Sequence, residues 1–353
     1  MTALPAQPCY IIAEAGVNHN GSLDRALELI DAAGAAGADA VKFQTFKASE
    51  LVSPMAAAAD YQKASGATHQ YEMLKALELS PAEYERIAGH CQDVGIEFLS
   101  TPFDIDAADF LIGLGMRRLK VPSGELTNLP FLAALAARNL PLILSTGMGT
   151  LDEVGEAVRV VETAADTPLS GRLTVLHCTT NYPTAPDDVN LLAMQTMANA
   201  FDVPVGYSDH TTGVEVPPLA RALGAEVLEK HFTLDRTLPG PDHAASLEPD
   251  ELTEMVRQVR AVDAILGDGV KAPTASEIRI RTAARRSAVM LVDAPAGTVL
   301  DAAMLGLKRP GDGIAPQHLE RALGQRLAVD KRSGEVLREA DLQGGLADMQ
   351  AGD

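Results

Sequence analysis

Three cysteines are all that this 353-residue chain contains. Cys9, Cys91 and Cys178 are odd in number, far apart and free of any CxxC spacing, which argues against a disulfide framework or a cysteine-ligated zinc site. Cys9 and Cys178 border apolar runs and read as small buried hydrophobes. Basic residues are scarce as well, 29 against 48 acidic, for a net charge of −19. Nucleic-acid phosphates would be repelled at long range, so no nucleic-acid partner is expected, and any anionic ligand needs its own local cations. No uninterrupted apolar stretch reaches the roughly 18 residues of a membrane span, and "MTALPAQPCYIIAEAG" lacks the basic start of a secretory signal. The expectation is a cytoplasmic protein with no membrane partner.

What is present is enough apolar material, 46% of residues, for one large core and a small second one. Eight short β-rich runs recur: "CYIIAE" (9–14), "AVKF" (40–43), "IEFLS" (96–100), "RLKVP" (118–122), "PLILST" (141–146), "LTVLHC" (173–178), "DVPVGYS" (202–208) and "EVLEKH" (226–231). Between them lie stretches such as "LDRALELIDAAGAAG" and "SPAEYERIAGHCQDVG", with apolar residues at helical spacing; Ser80 followed by Pro81 reads as a helix N-cap with proline at the first position. Eight strand–helix units over residues 1–270 predict an α/β fold, a TIM (β/α)8 barrel more than an open doubly wound sheet. The polar stretch 271–284 reads as a linker. Residues 285–342 read as a β-rich module with short strands broken by PAG, RPGDG and SG turns, and 343–353 as a flexible tail. Charge shifts at the same place: residues 285–341 hold nine basic and eight acidic residues, so the excess negative charge lies before them.

In a TIM barrel the chemistry sits at the C-terminal ends of the strands. Glu14 ends the first run, Lys42 the second, Ser100 and Thr101 the third, Lys120 and Ser123 the fourth, Ser145 and Thr146 the fifth. Thr179, Thr180 and Tyr182 follow the sixth, Ser208 and His210 the seventh, Glu229 and His231 the eighth. An ammonium at a barrel mouth loses hydration and must meet an anion or shift its pKa. Lys42 and Lys120, with Ser100, Thr101, Ser123, Ser145 and Ser208, would suit a phosphate; the alternative is that each lysine pairs with an acidic neighbour such as Glu125. His210 and His231, on adjacent strands, could reach one divalent ion and leave it open positions for water and substrate. Imidazole suits manganese, zinc, iron or cobalt. The alternative is two unrelated histidines.

The stretches "IIAEAGVNHNGSLDRALELIDAAGAAGADAVKFQTF", "STPFD", "LKVPSGELTNLP", "LSTGM", "HCTTNYPTAPDDVNL", "GYSDHT" and "LEKHFTLD", followed by "PGPDHAASLEPDEL", closely resemble the sialic acid synthase family. The likeness continues through "GDGVKAPTASE" and "LKRPGDGI", the latter in a module similar to the small antifreeze-like (β-clip) domain, and covers nearly the whole chain except the tail. By this resemblance Lys42, Lys120, Ser123, Ser145 and Ser208 match phosphoenolpyruvate-binding positions. His210 and His231 match metal ligands, usually for Mn2+. Glu14, Gln44, Tyr182 and Asp242 match the sugar end, and Arg309 matches an arginine delivered by the partner of a domain-swapped homodimer. Thr101 joins the substrate-binding set, as does Thr180, where some members carry asparagine.

The implied reaction condenses phosphoenolpyruvate with an N-acetylated hexosamine, N-acetylmannosamine, and water to give N-acetylneuraminate and phosphate. Glu14, Glu229, His210 and His231 are the catalytic candidates. The alternative acceptor is 2,4-diacetamido-2,4,6-trideoxymannose, which would give N,N′-diacetyllegionaminate. Synthases of deoxyheptulosonate or deoxyoctulosonate lack the antifreeze-like module and need further cations for a sugar phosphate. A reading of another class makes the chain a non-catalytic binding protein with a decayed barrel; intact Lys42, Lys120, His210 and His231 count against it.

Overall fold

A computed structural model describes residues 7–53, 70–165 and 171–346. The chain divides into two units, Met1–Asp268 and Gly269–Asp353. In the first, every apolar run forms a strand: β1 (Tyr10–Gly16), β2 (Ala40–Thr45), β3 (Glu97–Pro102), β4 (Leu119–Val121), β5 (Leu142–Ser145), β6 (Leu173–Cys178), β7 (Val205–Asp209) and β8 (Val227–His231). They pair in the order β3-β2-β1-β8-β7-β6-β5-β4, in parallel. β3 and β4 pack together at the remaining seam, and the sheet curls into a nearly closed TIM-type barrel. Parallel strands covered on both faces read as continuous apolar runs rather than as alternation, which is why the runs were visible in the sequence.

Helices follow the strands where caps permit. Ser80 accepts from the Glu83 backbone while the Glu83 carboxylate returns a bond to Ser80, with Pro81 in the first turn; the helix Pro81–Val94 then stops at Gly95, whose φ of 82° is left-handed. Thr150 and Glu153 repeat this reciprocal cap for Leu151–Ala164. Such caps contribute about 1 kcal/mol each. The inward faces, for example Leu29, Ile30 and Ala33 of Leu23–Ala36, are fully buried against the sheet.

The second unit is built on an antiparallel pair, β9 (Ser287–Met290) and β10 (Leu305–Lys308), around a small core that includes Met290, Leu300, Leu327 and Leu337. The stretch 271–284, read as a linker, contains the helix Ala275–Ala284, capped by Thr274 and Glu277 and exposed along its length. Of the tail expected over 343–353, residues 347–353 lie outside the described residues. All three cysteines are free and buried. No helix among the described residues is long and apolar enough to cross a membrane.

The barrel interior tolerates little added volume at β7. A Cβ on Gly206 would lie 2.3 Å from the Val227 carbonyl oxygen and 2.5 Å from Leu176 Cδ2. The first of these is backbone and cannot swing away. Gly206→Ala is therefore expected to lower the melting temperature by roughly 3–10 °C, the consequence of about 1–3 kcal/mol of overpacking. A scanning-calorimetry trace matching wild type would contradict this.

Candidate active site

Strand register brings distant residues to one level at the barrel mouth. Glu14 of β1 is level with Lys42 of β2 on one side and His231 of β8 on the other, and Ser208 of β7 is level with Glu229 of β8. These side chains line a cavity of about 140 Å3 together with Gln44, Thr101, Lys120, Ser123, Ser145, Thr180, Tyr182 and His210. A hollow of about 380 Å3 lies beside Met148, Leu151 and Leu192 but has no charged side chain in its lining. Charge rather than volume marks the candidate.

Two ammoniums and two carboxylates are packed there, each no more than 5% exposed. Lys42 Nζ lies 2.6 Å from Glu14 Oε2 and 3.7 Å from Glu229 Oε2, and donates to Thr101 Oγ1 at 2.9 Å. Lys120 Nζ lies 3.4 Å from Glu229 Oε1 and donates to Ser145 Oγ at 2.8 Å. Ser208 donates to Glu229 at 2.9 Å, and Gln44 donates to Glu14 at 3.1 Å. The two carboxyls differ in consequence. Burial pushes Glu14 up to about 7, against the pull of Lys42. Burial also opposes ionisation of Glu229, but the ammoniums of Lys120 and Lys42 together hold it down at about 2. Burial lowers Lys120, partly offset by Glu229. Burial would lower Lys42 too, yet Glu14 and Glu229 prevail and raise it. The site thus holds one firmly ionised carboxylate and one that exchanges its proton near neutrality.

The lysines do pair with carboxylates, the alternative weighed from sequence, but not with Glu125. Glu125 accepts from Asn128 Nδ2 at 2.6 Å, while the carboxylates that meet Lys42 and Lys120 are Glu14 and Glu229. Ser100 also departs from expectation: its hydroxyl bonds Thr45 at 2.8 Å, away from the lysines.

His210 and His231 do meet. Their ring centroids are 5.6 Å apart, and Tyr182 lies against both, 4.1 Å from the His210 centroid and edge-on to His231 at 5.7 Å. His210 Nδ1 is 2.6 Å from the Thr179 carbonyl. A carbonyl only accepts, so Nδ1 carries the proton and Nε2 keeps its lone pair. Burial lowers both imidazoles below their ordinary range, His231 further because His210 is beside it. His231 Nδ1 is buried without a hydrogen bond, 3.7 Å from Asp242 Oδ2. Two neutral imidazoles, one with its tautomer fixed and one with an orphaned nitrogen, fit a divalent cation. Among the described residues no group of three His, Cys, Asp or Glu forms a metal cluster, and the candidate ligands are this imidazole pair.

The model of the NeuB family matches residues 29–271 and that of the SAF domain residues 285–343. The chain belongs to the NeuB family. It is accordingly an enzyme of the group that makes sialic and legionaminic acids. It is 51% identical to the N,N′-diacetyllegionaminic acid synthase of Legionella pneumophila, over 93% of both chains. It is 44% identical to the synthase of the same name from Campylobacter jejuni, over 93% of this chain and 98% of that one. Among solved structures, the N-acetylneuraminic acid synthetase of Leptospira borgpetersenii, in complex with citrate, superposes with a TM-score of 0.69 at 37% identity, over 78% of this chain and 90% of that one.

Of the residues singled out from sequence, Asp242 stands beside the cavity through His231, and Arg309 belongs to the second unit. Phe103, Pro122, Gly124 and Cys178 line the cavity without having been singled out as site residues. Cys178 is the informative one, since its Sγ lies 3.1 Å from Ser123 Oγ, which in turn accepts from the Gly147 backbone at 2.9 Å. Its place at the end of β6 was the available signal.

Lys120 is bound less closely to carboxylate than Lys42 and so has more to give an incoming anion. Inorganic phosphate is expected to raise the melting temperature of the wild-type protein by mass action. In Lys120→Met that rise should vanish under the same concentrations; an undiminished rise in differential scanning fluorimetry would place the anion elsewhere.

Proposed function

We propose that the chain condenses phosphoenolpyruvate with 2,4-diacetamido-2,4,6-trideoxymannose and water, releasing phosphate and N,N′-diacetyllegionaminate. The observation that carries the chemistry is the meeting of Lys42 and Lys120 with His210 and His231 in one cavity. What supports the acceptor is that the relatives 51% and 44% identical to this chain are N,N′-diacetyllegionaminic acid synthases; they favour the trideoxy sugar over the N-acetylmannosamine expected first.

In this reading Lys42 and Lys120 take the phosphate and carboxylate of phosphoenolpyruvate, with Ser123, Ser145 and Ser208 supplying hydroxyls and Thr101 holding Lys42 in place. Binding in this way fixes the enol's C3, a weak nucleophile, against the acceptor's C1. A divalent cation held by His210 and His231, assigned here as Mn2+, supplies Lewis acidity toward the acceptor's aldehyde. Bond formation between C3 and C1 leaves cationic character at C2; water adds there, and the phosphohemiketal expels phosphate, the C2 hydroxyl proton leaving with it as the ketone forms. Glu229, ionised, stabilises the positive charge developing at C2. Glu14, titrating near neutrality, gives a proton to the alkoxide oxygen forming at C1 and takes one back from the water that adds at C2. Gln44, Thr180, Tyr182 and Asp242 face the acceptor. Arg309 of a second copy completes the pocket in a domain-swapped homodimer, its planar fork suited to a carboxylate or a polyhydroxylated chain.

A coupled phosphate-release assay with phosphoenolpyruvate and Mn2+ tests the assignment. Against the trideoxy sugar, N-acetylmannosamine has an extra hydroxyl at C6 and a hydroxyl in place of the acetamido group at C4; a pocket built for the trideoxy sugar discriminates against an added hydroxyl by roughly 10²-fold. We expect kcat/KM to favour the trideoxy sugar by about that factor, with N-acetylmannosamine 6-phosphate poorer still. Preference for N-acetylmannosamine returns the assignment to N-acetylneuraminate; no phosphate release with any of the three sinks the synthase reaction itself.

A further inference from the structure

Outside the cavity, on the reverse face of β7 and β8, lies a buried ion pair that the reaction does not touch. Side chains alternate along a strand, so with Ser208 and His210 serving the barrel mouth, Asp209 turns outward; likewise Glu229 and His231 turn in and Lys230 turns out. Asp209 and Lys230 are level in the strand register and each is 1% exposed. Lys230 Nζ donates to Asp209 Oδ2 at 2.6 Å and to the Thr211 carbonyl at 2.5 Å. Asp209 Oδ1 accepts from the Thr211 backbone N–H at 3.0 Å and from Thr211 Oγ1 at 2.8 Å.

We propose that Lys230, Asp209 and Thr211 form a positioning clamp that holds the His210 and His231 imidazoles at ligating separation. The inference rests on the metal reading above. Its physical basis is where the parallel ladder ends. The last paired residues of β7 and β8 are Asp209 and Lys230, so no strand pairing fixes residue 210 against residue 231. Lys230, whose next neighbour is His231, reaches across and grips both residues that flank His210. Stability alone does not account for the pair. Desolvating two charges costs about as much as their attraction returns, and an apolar pair of like volume often does as well. An apolar pair, however, cannot satisfy the Thr211 carbonyl and N–H, and so cannot fix the turn. His210 is also held from the β6 side, where its Nδ1 donates to the Thr179 carbonyl, its own carbonyl accepts from the Thr184 backbone at 2.8 Å and its ring packs on Tyr182; none of these contacts ties it to β8.

The test uses full-length protein, wild type and three variants: Thr211→Val, Lys230→Met, and the double Asp209→Leu/Lys230→Met. Mn2+ dissociation constants are read from the free-ion electron paramagnetic resonance signal. The His210 ring is followed in apoprotein by 15N-histidine NMR, where its Nδ1 proton is protected by Thr179. Losing an outer partner of a metal ligand weakens binding by about 10- to 100-fold, and we expect that loss for Lys230→Met. Thr211→Val, which strands no charge, should lose less, about tenfold, the lower end of such effects. The double variant should regain melting temperature but not Mn2+ affinity. It should also show a faster-exchanging His210 Nδ1 proton. Recovery of both stability and affinity in the double variant would reduce the clamp to ordinary packing and overturn the proposal, as would wild-type affinity in Thr211→Val. Absence of Mn2+ binding in wild type would instead overturn the metal reading; the apoprotein NMR then decides the clamp, unchanged His210 protection in the double variant counting against it.

Discussion

Four buried charges at the mouth of a barrel set the terms for everything around them. Lys42 and Lys120 face Glu14 and Glu229 with almost no exposure to water, and removing any one would strand an uncompensated charge at a cost of about 3–5 kcal/mol. An apolar plug would close the barrel at lower cost. The quartet is neutral overall when all four groups are ionised, so it persists without ligand, yet its members are unequal. Glu229 sits between both ammoniums, whereas Glu14 has one ammonium and an elevated pKa near 7. A carboxyl that is readily protonated lets the quartet gain positive charge when an anion arrives.

The rest of the first unit holds those four groups in place. β1, β2, β4 and β8 each contribute one, and their register is enforced by the fully buried outer layer of Leu, Ile and Ala from the surrounding helices. Behind the site the Asp209–Lys230 pair extends the same economy: charge is placed in the interior where direction matters, at the end of a ladder that no longer directs.

Much of this was legible in the chain. The eight runs became the eight strands because parallel, doubly covered strands leave continuous apolar signatures. The helix start at Ser80–Pro81 was readable because proline and the serine cap carry their geometry with them. Most of the strand-end polar residues, among them Glu14, Lys42, Lys120, Ser208 and His231, line the cavity at the mouth. What could not be read was pairing across the barrel. Glu125 follows Lys120 closely in sequence and looked a fair partner, but it sits past the strand end and turns to Asn128. The true partner, Glu229, comes from β8, and only the closure of the barrel brings the two together. Ser100 failed for a different reason: it alternates with Thr101, which faces the cavity, so its hydroxyl lies on the other face of β3 and meets Thr45 of β2 there. The outward role of Asp209 was visible in principle, since alternation from Ser208 sends it away from the mouth, but its partner Lys230 becomes apparent only once β7 and β8 are aligned.

The central claim is that an enol phosphate binds where the two lysines meet. A crystal structure of the full-length protein with phosphoenolpyruvate tests it most directly. The account predicts phosphate or carboxylate oxygens within hydrogen-bonding distance of both Lys42 Nζ and Lys120 Nζ, with the enol carbon turned toward His210 and His231. Ligand density bridging neither lysine, with the Lys42–Glu14 and Lys120–Ser145 contacts undisturbed, would contradict it.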